Sequence, residues 1–390
     1  MEQAGRQSED PGDGDRTKPK LTRLTLEGYK SFRNEVIEFG DVTVLLGANG
    51  AGKSNLVSFF RMLGFLGTGA LQEYVGRTGR SDAQLFGGRK VSPQLRAEVV
   101  FKGEDHATGR RTTTTYTMRL GDAAPDTLIF LEERARYHRS GFPTAQDILL
   151  GAGHRESLLM DREEDVTCRV VLRLLRECRS YHFHDTSSAS NIRRHHYIGD
   201  DRYLRADAGN LAACLHRLER TRPDFYRRVV DTVRLALPTF ADFSLAPSTA
   251  NDREIVLNWR EKDRADHLFG PHQLSDGSLR FMALTTLLQQ PPEELPNVII
   301  LDEPELGLHP YAINVLGAMV RAAATQVQIV LATQSPRLVD EFEASDIAVL
   351  EAEIGSGTKY HRPSQDALAE WLQEYSLGEL WEKNHFGGRP

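Results

Sequence analysis

The residues best suited to chemistry form the run Gly47-Ala-Asn-Gly-Ala-Gly-Lys53-Ser54, a complete GxxxxGK[ST] pattern. Phosphates carry dense negative charge. A loop that binds them needs glycines whose backbone N–H groups can turn inward, and a helix N-terminus whose dipole faces the anion. Lys53 supplies a point charge for the β and γ oxygens, and the Ser54 hydroxyl is a hard oxygen ligand suited to Mg²⁺. Gly47, Asn49, Gly50, Gly52, Lys53, Ser54 and Asn55 are therefore the expected nucleotide-binding residues. Far downstream, Val298-Ile-Ile-Leu301 is an apolar run that ends in Asp302 and Glu303. Asp302 is expected to hold Mg²⁺, usually through water, and Glu303 to polarise the attacking water as general base. The expected chemistry is hydrolysis of a nucleotide's terminal phosphate with Mg²⁺ as the metal.

These groups need a scaffold, and the pattern around them supplies one. Asp41 to Leu46 runs apolar without alternation and stops at glycine, as a strand buried on both faces does. Leu56, Phe59, Phe60 and Leu63 then fall at helical spacing, so the phosphate loop joins a buried strand to an amphipathic helix. Strand-like runs recur from about Leu95 to Glu133. The middle then turns helical, with Val171, Leu174, Leu175 and Cys178 on one stripe and Leu211, Leu215 and Leu218 on another. Ile255, Leu257 and Trp259 alternate as a strand, and strand and helix patterns alternate from Leu274 to about Glu351. The expectation is an α/β fold in five parts. They are a disordered leader (1–20), an N-terminal half carrying the phosphate loop (21–135), an inserted helical lobe (136–245), a C-terminal half (246–352) and a tail (353–390).

The 390 residues carry 48 Lys+Arg against 55 Asp+Glu, with 40% hydrophobic and 8% aromatic residues, the usage of a globular protein. No run of about 18 apolar residues occurs, so a membrane-spanning helix is not expected. The opening MEQAGRQSEDPGDGDRTKPK has no apolar segment of the kind a signal peptide needs, and a cytoplasmic chain is the expectation. Three cysteines without CxxC spacing, Cys168, Cys178 and Cys214, make no disulfide framework.

Leu274-Ser-Asp-Gly-Ser278 resembles the LSGGQ signature of ABC-type ATPases, and Ser275 lies 27 residues before Asp302. The resemblance implies a P-loop NTPase of the ABC type in which Ser275 and the backbone of Gly277 cap the γ-phosphate bound by a second copy, so that a homodimer sandwiches ATP. It places Leu306-Gly-Leu-His309 as the D-loop and Gln334 at the switch position, where many members carry histidine. Glutamine can donate a hydrogen bond but cannot become cationic, which implies slow turnover. Gln84 is the candidate for the Q-loop glutamine, a metal ligand.

The opening Leu24-Thr-Leu-Glu-Gly-Tyr-Lys-Ser-Phe32 looks like that of RecF and SMC ATPases, and 227 positions separate Gly47 from Leu274, a RecF-like arrangement with a bipartite head. SMC proteins fill that gap with long coiled coils, and no sustained heptads occur here. The stretch Glu374 to Lys383 looks like the ends of single-domain RecF-like ATPases found in anti-phage defence loci. The forty residues after Leu350 are too few for an ordinary self-standing nuclease domain, so any effector is expected on another chain.

The resemblance implies a cycle in which ATP-dependent dimerisation gates binding of double-stranded DNA or of an effector subunit, in DNA repair or defence. Arg193, Arg194, Arg202, Arg205, Arg217, Arg220, Arg222, Arg227 and Arg228 are a basic concentration that either faces DNA or forms a solvated, salt-bridged surface. His182, His184, Asp185, His195 and His196 match no zinc spacing closely. Arg77 and Arg80 are candidates for phosphate contact, and Phe32 and Arg33 for adenine. Two other readings stay open: a nucleotide-sensing scaffold with negligible hydrolysis, and a nucleotide-binding subunit of a transporter.

Overall fold

The protein is described by a computed structural model covering residues 18–105, 108–248, 250–385 and 387–388. The expected leader lies, as far as residue 17, outside the described residues. Lys18 already donates to the carbonyls of Pro292 and Leu295, and β1 (Lys20–Tyr29) begins two residues later.

Two six-stranded sheets form the frame. β1 pairs antiparallel with β2 (Phe32–Glu38), and the chain then leaves this sheet for β3 (Val42–Leu46), α1 (Lys53–Leu66) and α2 (Leu71–Arg77). It returns through β4 (Gln94–Asp105), β5 (Arg110–Ala123), β6 (Thr127–Arg139) and β7 (Gln146–Gly151), giving the antiparallel order β2-β1-β4-β5-β6-β7. One face is apolar in strict alternation: Leu95, Ala97, Val99 and Phe101 on β4 meet Tyr116, Met118 and Leu120 on β5. α3 (Val166–Arg176), capped by Asp165, leads to β8 (Cys178–Tyr181), so Cys178 opens a strand instead of extending the helical stripe.

The second sheet is assembled from distant parts of the chain. β9 (His196–Tyr197), α4 (Leu211–Thr221), α5 (Pro223–Ala236), β10 (Phe240–Ser244), β11 (Glu254–Ile255), β12 (Asn258–Glu261) and β13 (Arg264–Phe269) precede α6 (Asp276–Leu288). The single strand expected around Ile255 to Trp259 is two short ones, which pair with different partners. β14 (Val298–Asp302), α7 (Pro310–Ala323), β15 (Gln328–Ala332), α8 (Pro336–Val339), β16 (Ile347–Glu353), β17 (Gly357–His361), α9 (Gln365–Ala369) and α10 (Leu377–Glu382) follow. The sheet order is β17-β16-β3-β15-β14-β8, parallel except for the β16–β17 hairpin.

Its central strands are buried on both faces, which is why they read as unbroken apolar runs. Val44, Ile299, Leu301, Ile329, Leu331, Ile347 and Val349 face a helical layer of α4 to α8 and α10. Leu45, Val298, Ile300, Val330, Ala332, Ala348 and Leu350 face α1, α3 and the antiparallel sheet. The α1 stripe of Leu56, Phe59, Phe60 and Leu63 is fully buried there, and each side chain contributes about 1.5–3 kcal/mol. α1 is thereby fixed between two sheets, with its N-terminus at the end of β3.

Two expected boundaries move. The segment 136–245 is not a lobe apart: it starts in β6 and β7, supplies β8 to the parallel sheet, and its α4 and α5 share one core with α6 and α7. The segment 353–390 is not an appended tail either, since β17 completes the sheet and Trp381 of α10 is fully buried. No helix among the described residues is long and apolar enough to cross a membrane.

Candidate functional site

The phosphate loop spans the turn from β3 to α1. Its first glycine has φ 156° and its last φ 114°, and neither position has room for a side chain. A Cβ on Gly47 would meet the Leu350 carbonyl at 2.3 Å, and one on Gly52 the Thr358 hydroxyl at 2.4 Å. The far end of the loop is held from β17. The Thr358 hydroxyl donates to the Ala51 carbonyl (2.9 Å), which can only accept. Ser31 Oγ must then donate to Thr358 Oγ1 (2.8 Å), while Asn55 Nδ2 donates to Ser31 Oγ (2.8 Å). Lys53 is buried and folds back to donate to the Gly47 and Ala48 carbonyls. Burial lowers its pKa, opposed by the negative charges of Glu303, Asp302 and Glu305.

Those carboxylates follow β14. Asp302 is mostly buried, and burial raises its pKa; His184 and Arg61 oppose that shift. Its one ion pair among the described residues is Arg61, at 3.9 Å, and no hydrogen bond there reaches its carboxylate. Glu303 sits at φ 43°, a left-handed conformation costly for a side chain of this kind. It is held there by its N–H on the Ala332 carbonyl (2.8 Å). Gln334 joins the two halves of the site: its Nε2 donates to Glu303 Oε1 (2.8 Å) and to Asn49 Oδ1 (2.8 Å), spending both amide hydrogens. Glu305 lies beneath, accepting from the Thr333 hydroxyl (2.5 Å) and the Gln334 N–H (3.3 Å), and burial pushes its pKa up. Its second oxygen is buried without a partner among the described residues.

A third group lies at the start of α6. Ser275 caps that helix by accepting from Ser278 N–H (3.1 Å) and is exposed to solvent. A Cβ on Gly277 would strike the Gly307 carbonyl at 2.3 Å, so this glycine lets α6 lie directly on the 303–308 loop. Arg280 ties the same elements together, donating to the carbonyls of Phe183 (2.9 Å), His184 (2.8 Å) and Leu306 (2.6 Å). His184 Nε2 faces the Asp302 carbonyl at 2.9 Å; a carbonyl only accepts, so that nitrogen carries the proton.

Gly47, Asn49, Gly50 and Gly52 thus fall in one loop, Lys53, Ser54 and Asn55 in the first turn of α1, and Gln334 ties that loop to Glu303. Gly277 lies against Gly307, and Ser275 caps α6 just before it. Gln84 does not join them. It is fully buried, and its Nε2 donates to the Thr78 carbonyl and hydroxyl (both 2.9 Å). Phe32 is buried in the core under the antiparallel sheet and cannot stack on adenine. Arg77 and Arg80 form surface pairs with Glu73 and Asp126.

Within the basic concentration Arg205 pairs with Asp200, Arg217 with Glu294, Arg222 with Glu293 and Arg227 with Asp224, while Arg202 and Arg228 lie over the rings of Tyr203 and Phe225. Arg193 is buried and donates to the carbonyls of Thr186, Pro271 and Leu274 and to Asp276 (2.8 Å), which makes it a strut for the Ser275 turn. Among the described residues no group of three or more His, Cys, Asp or Glu is arranged to hold a metal ion. The three cysteines are buried and unpaired.

The sequence pattern placed His184 only in a histidine cluster, not against Asp302, and did not single out Arg61, Glu305, Thr358 or Ser31. The third carboxylate two residues after the acidic pair was a visible signal for Glu305; the others act across more than a hundred positions or from a helix read only as core.

A family model described as "AAA domain, putative AbiEii toxin, Type IV TA system" matches residues 42–340. Among solved structures, an SmcHead bound to the C-winged helix domain of ScpA is 16% identical, covers 90% of this chain and 100% of that one, and superimposes with a TM-score of 0.58. An Smc head domain with an extended coiled coil bound to the C-terminal domain of ScpA, from Pyrococcus furiosus, is 14% identical over 92% and 99% of the chains, with a TM-score of 0.58. An Smc head with a coiled coil and joint from Pyrococcus yayanosii is 12% identical over 92% and 99%, at 0.53. At these identities the likeness is one of fold. No curated protein sequence matches.

Proposed function

Since the chain belongs to the AAA-domain family whose model spans residues 42–340 and has the fold of SMC heads, we propose that it binds and hydrolyses Mg–ATP between two copies arranged head to tail. The observation that carries this reading is the Gln334 amide, which spans Asn49 of the phosphate loop and Glu303 of the acidic end. Groups for binding phosphate and for polarising water are thereby held on one frame.

Mg²⁺ fits the donor set: Asp302 is a largely buried carboxylate whose one ion pair among the described residues is a distant one, and Ser54 offers a hydroxyl in the first turn of α1. Bound with the nucleotide, it would be held by Ser54 and Asp302 and would neutralise phosphate charge. Lys53 leaves its loop carbonyls for the phosphate oxygens. Glu303 orients and deprotonates the attacking water, and Gln334 fixes the Glu303 carboxylate while giving up no proton. A neutral amide offers weaker stabilisation of developing charge than a cationic side chain, so turnover is slow.

The second copy enters through the exposed Ser275 turn. Beside it Leu306 and Tyr311 are 45% and 51% exposed, an apolar margin suited to closure against another molecule. Intact γ-phosphate adds contacts across that closure and hydrolysis removes them, so ATP sets the population of the closed dimer. The dimer gates binding of double-stranded DNA or of a separate effector subunit, in repair or anti-phage defence. Phosphate release should rise faster than linearly with protein concentration, and Ser275→Arg should abolish it while leaving ATP binding to the monomer intact. A rate per chain independent of concentration sinks the shared-site reading. The other reading, a nucleotide-sensing scaffold, is favoured by the neutral switch residue; ATP-dependent dimers that release no phosphate would establish it.

A further inference from the structure

We propose that the segment formed by α10 and Gly387–Gly388 is a positioning element of the phosphate loop, so that nucleotide affinity depends on its being docked. The inference rests on the reading of residues 47–54 as the nucleotide loop and goes beyond it by adding a part no motif contains.

The contacts are specific. The Gly388 N–H donates to Glu351 (2.6 Å), just past the strand residue whose carbonyl lies against Gly47, and the buried Trp381 Nε1–H donates to the Gly388 carbonyl (2.8 Å). Gly388 has φ 69°, and a Cβ built on it would fall 2.7 Å from Val349 Cγ1 and 3.4 Å from Gly47 Cα. Gly387 has φ 80°, and its Cβ would fall 2.4 Å from the Glu351 carboxylate. Two successive glycines in the left-handed region are what such close backbone approach demands.

At its other end the same segment reaches the switch side of the site. α10 packs on α8, the helix that begins two residues after Gln334, with Gly378 N–H on Asp340 (2.7 Å). A methyl on Gly378 would meet the Pro336 carbonyl at 2.6 Å. One short segment therefore touches both the first glycine of the phosphate loop and the helix behind Gln334. Docked, it restricts Gly47 at one end of the loop while Thr358 holds the other at Ala51; released, it leaves the Gly47 end free to lose its phosphate-binding shape.

The test is Gly388→Ala in the full chain, with Glu351→Ala and Glu351→Gln beside it. Mg–ATP affinity is measured by calorimetry, and hydrogen exchange of the 47–53 peptide is measured without nucleotide. Gly388→Ala and Glu351→Ala should each weaken binding roughly tenfold and speed exchange in the loop peptide. Glu351→Gln keeps an acceptor for the Gly388 N–H and should stay near wild type, a rescue that general destabilisation would not produce. Native loop exchange and native affinity in both disruptive variants overturn the proposal. If Gly388→Ala fails to fold, the Glu351 pair decides. If wild type binds no nucleotide, the proposed function has failed, and loop exchange in the variants still decides whether this segment positions the loop.

Discussion

The two halves of the site are built on opposite principles. The phosphate loop is held by contacts whose donors and acceptors are nearly all satisfied: the Thr358–Ser31–Asn55 chain at one end and Lys53 on its own loop carbonyls at the other. The acidic end keeps its polar groups under stress. Asp302 and Glu305 are carboxylates whose burial disfavours their charge, one Glu305 oxygen and the Arg61 Nε are buried without partners among the described residues, and Glu303 occupies a strained backbone region. A preformed loop suits binding, since little ordering is left to do when ligand arrives. Buried negative charge suits chemistry, since a bound cation relieves it.

The strongest way to break this contrast is to exchange the roles. Lys53→Ala should reduce Mg–ATP affinity by at least about 100-fold, the consequence of removing the loop's point charge. Glu303→Gln should leave affinity within about threefold and cut phosphate release by about 100-fold or more. Equal losses of binding in both would abolish the division. Arg193→Met should destabilise the protein by roughly 3 kcal/mol in denaturant titration, because it strips three carbonyls of a buried donor. Arg227→Met, on an exposed pair, should leave the midpoint unmoved; equal effects would return Arg193 to the surface.

A finer probe is Thr358→Val, which deletes the bond to the Ala51 carbonyl and should cost about 1 kcal/mol of nucleotide affinity, while Thr358→Ser retains it. The smallest effect concerns pH. Burial raises the Glu305 pKa above 4.5, so the folded state holds a proton the unfolded state has lost. Its contribution is therefore greatest at low pH and falls as pH rises from about 4.5 through the raised folded value. Glu305→Gln removes that fall, and its melting temperature relative to wild type should climb between about pH 4 and pH 7. A difference flat across that range would mean Glu305 is not strained by its charge.

What could be read from the sequence was whatever is written contiguously. The loop from Gly47 to Ser54, the strand ending at Asp302, the Ser275 turn and the buried strands each carry their pattern within about ten residues. Gln84 shows the limit from the other side. A lone glutamine has no local pattern, and packing, not chemistry, decides that its amide serves Thr78. Arg193 was visible only as one member of a basic run, and burial separates it from its neighbours. His184 against Asp302 spans 118 positions and Thr358 against Ala51 spans 307, so neither contact has a signature in a single sequence. The same holds for β8 and β17, short strands whose place at the sheet's two edges comes from their neighbours.

The central claim is that ATP closes two copies around shared sites and that hydrolysis opens them. Its most direct test is the solution mass of Glu303→Gln, with and without Mg–ATP, beside Glu303→Gln carrying Ser275→Arg. The account predicts a dimer for Glu303→Gln only when ATP is present, and a monomer for the double variant in both conditions. A mass that ignores ATP, or a double variant that dimerises as readily, would contradict it.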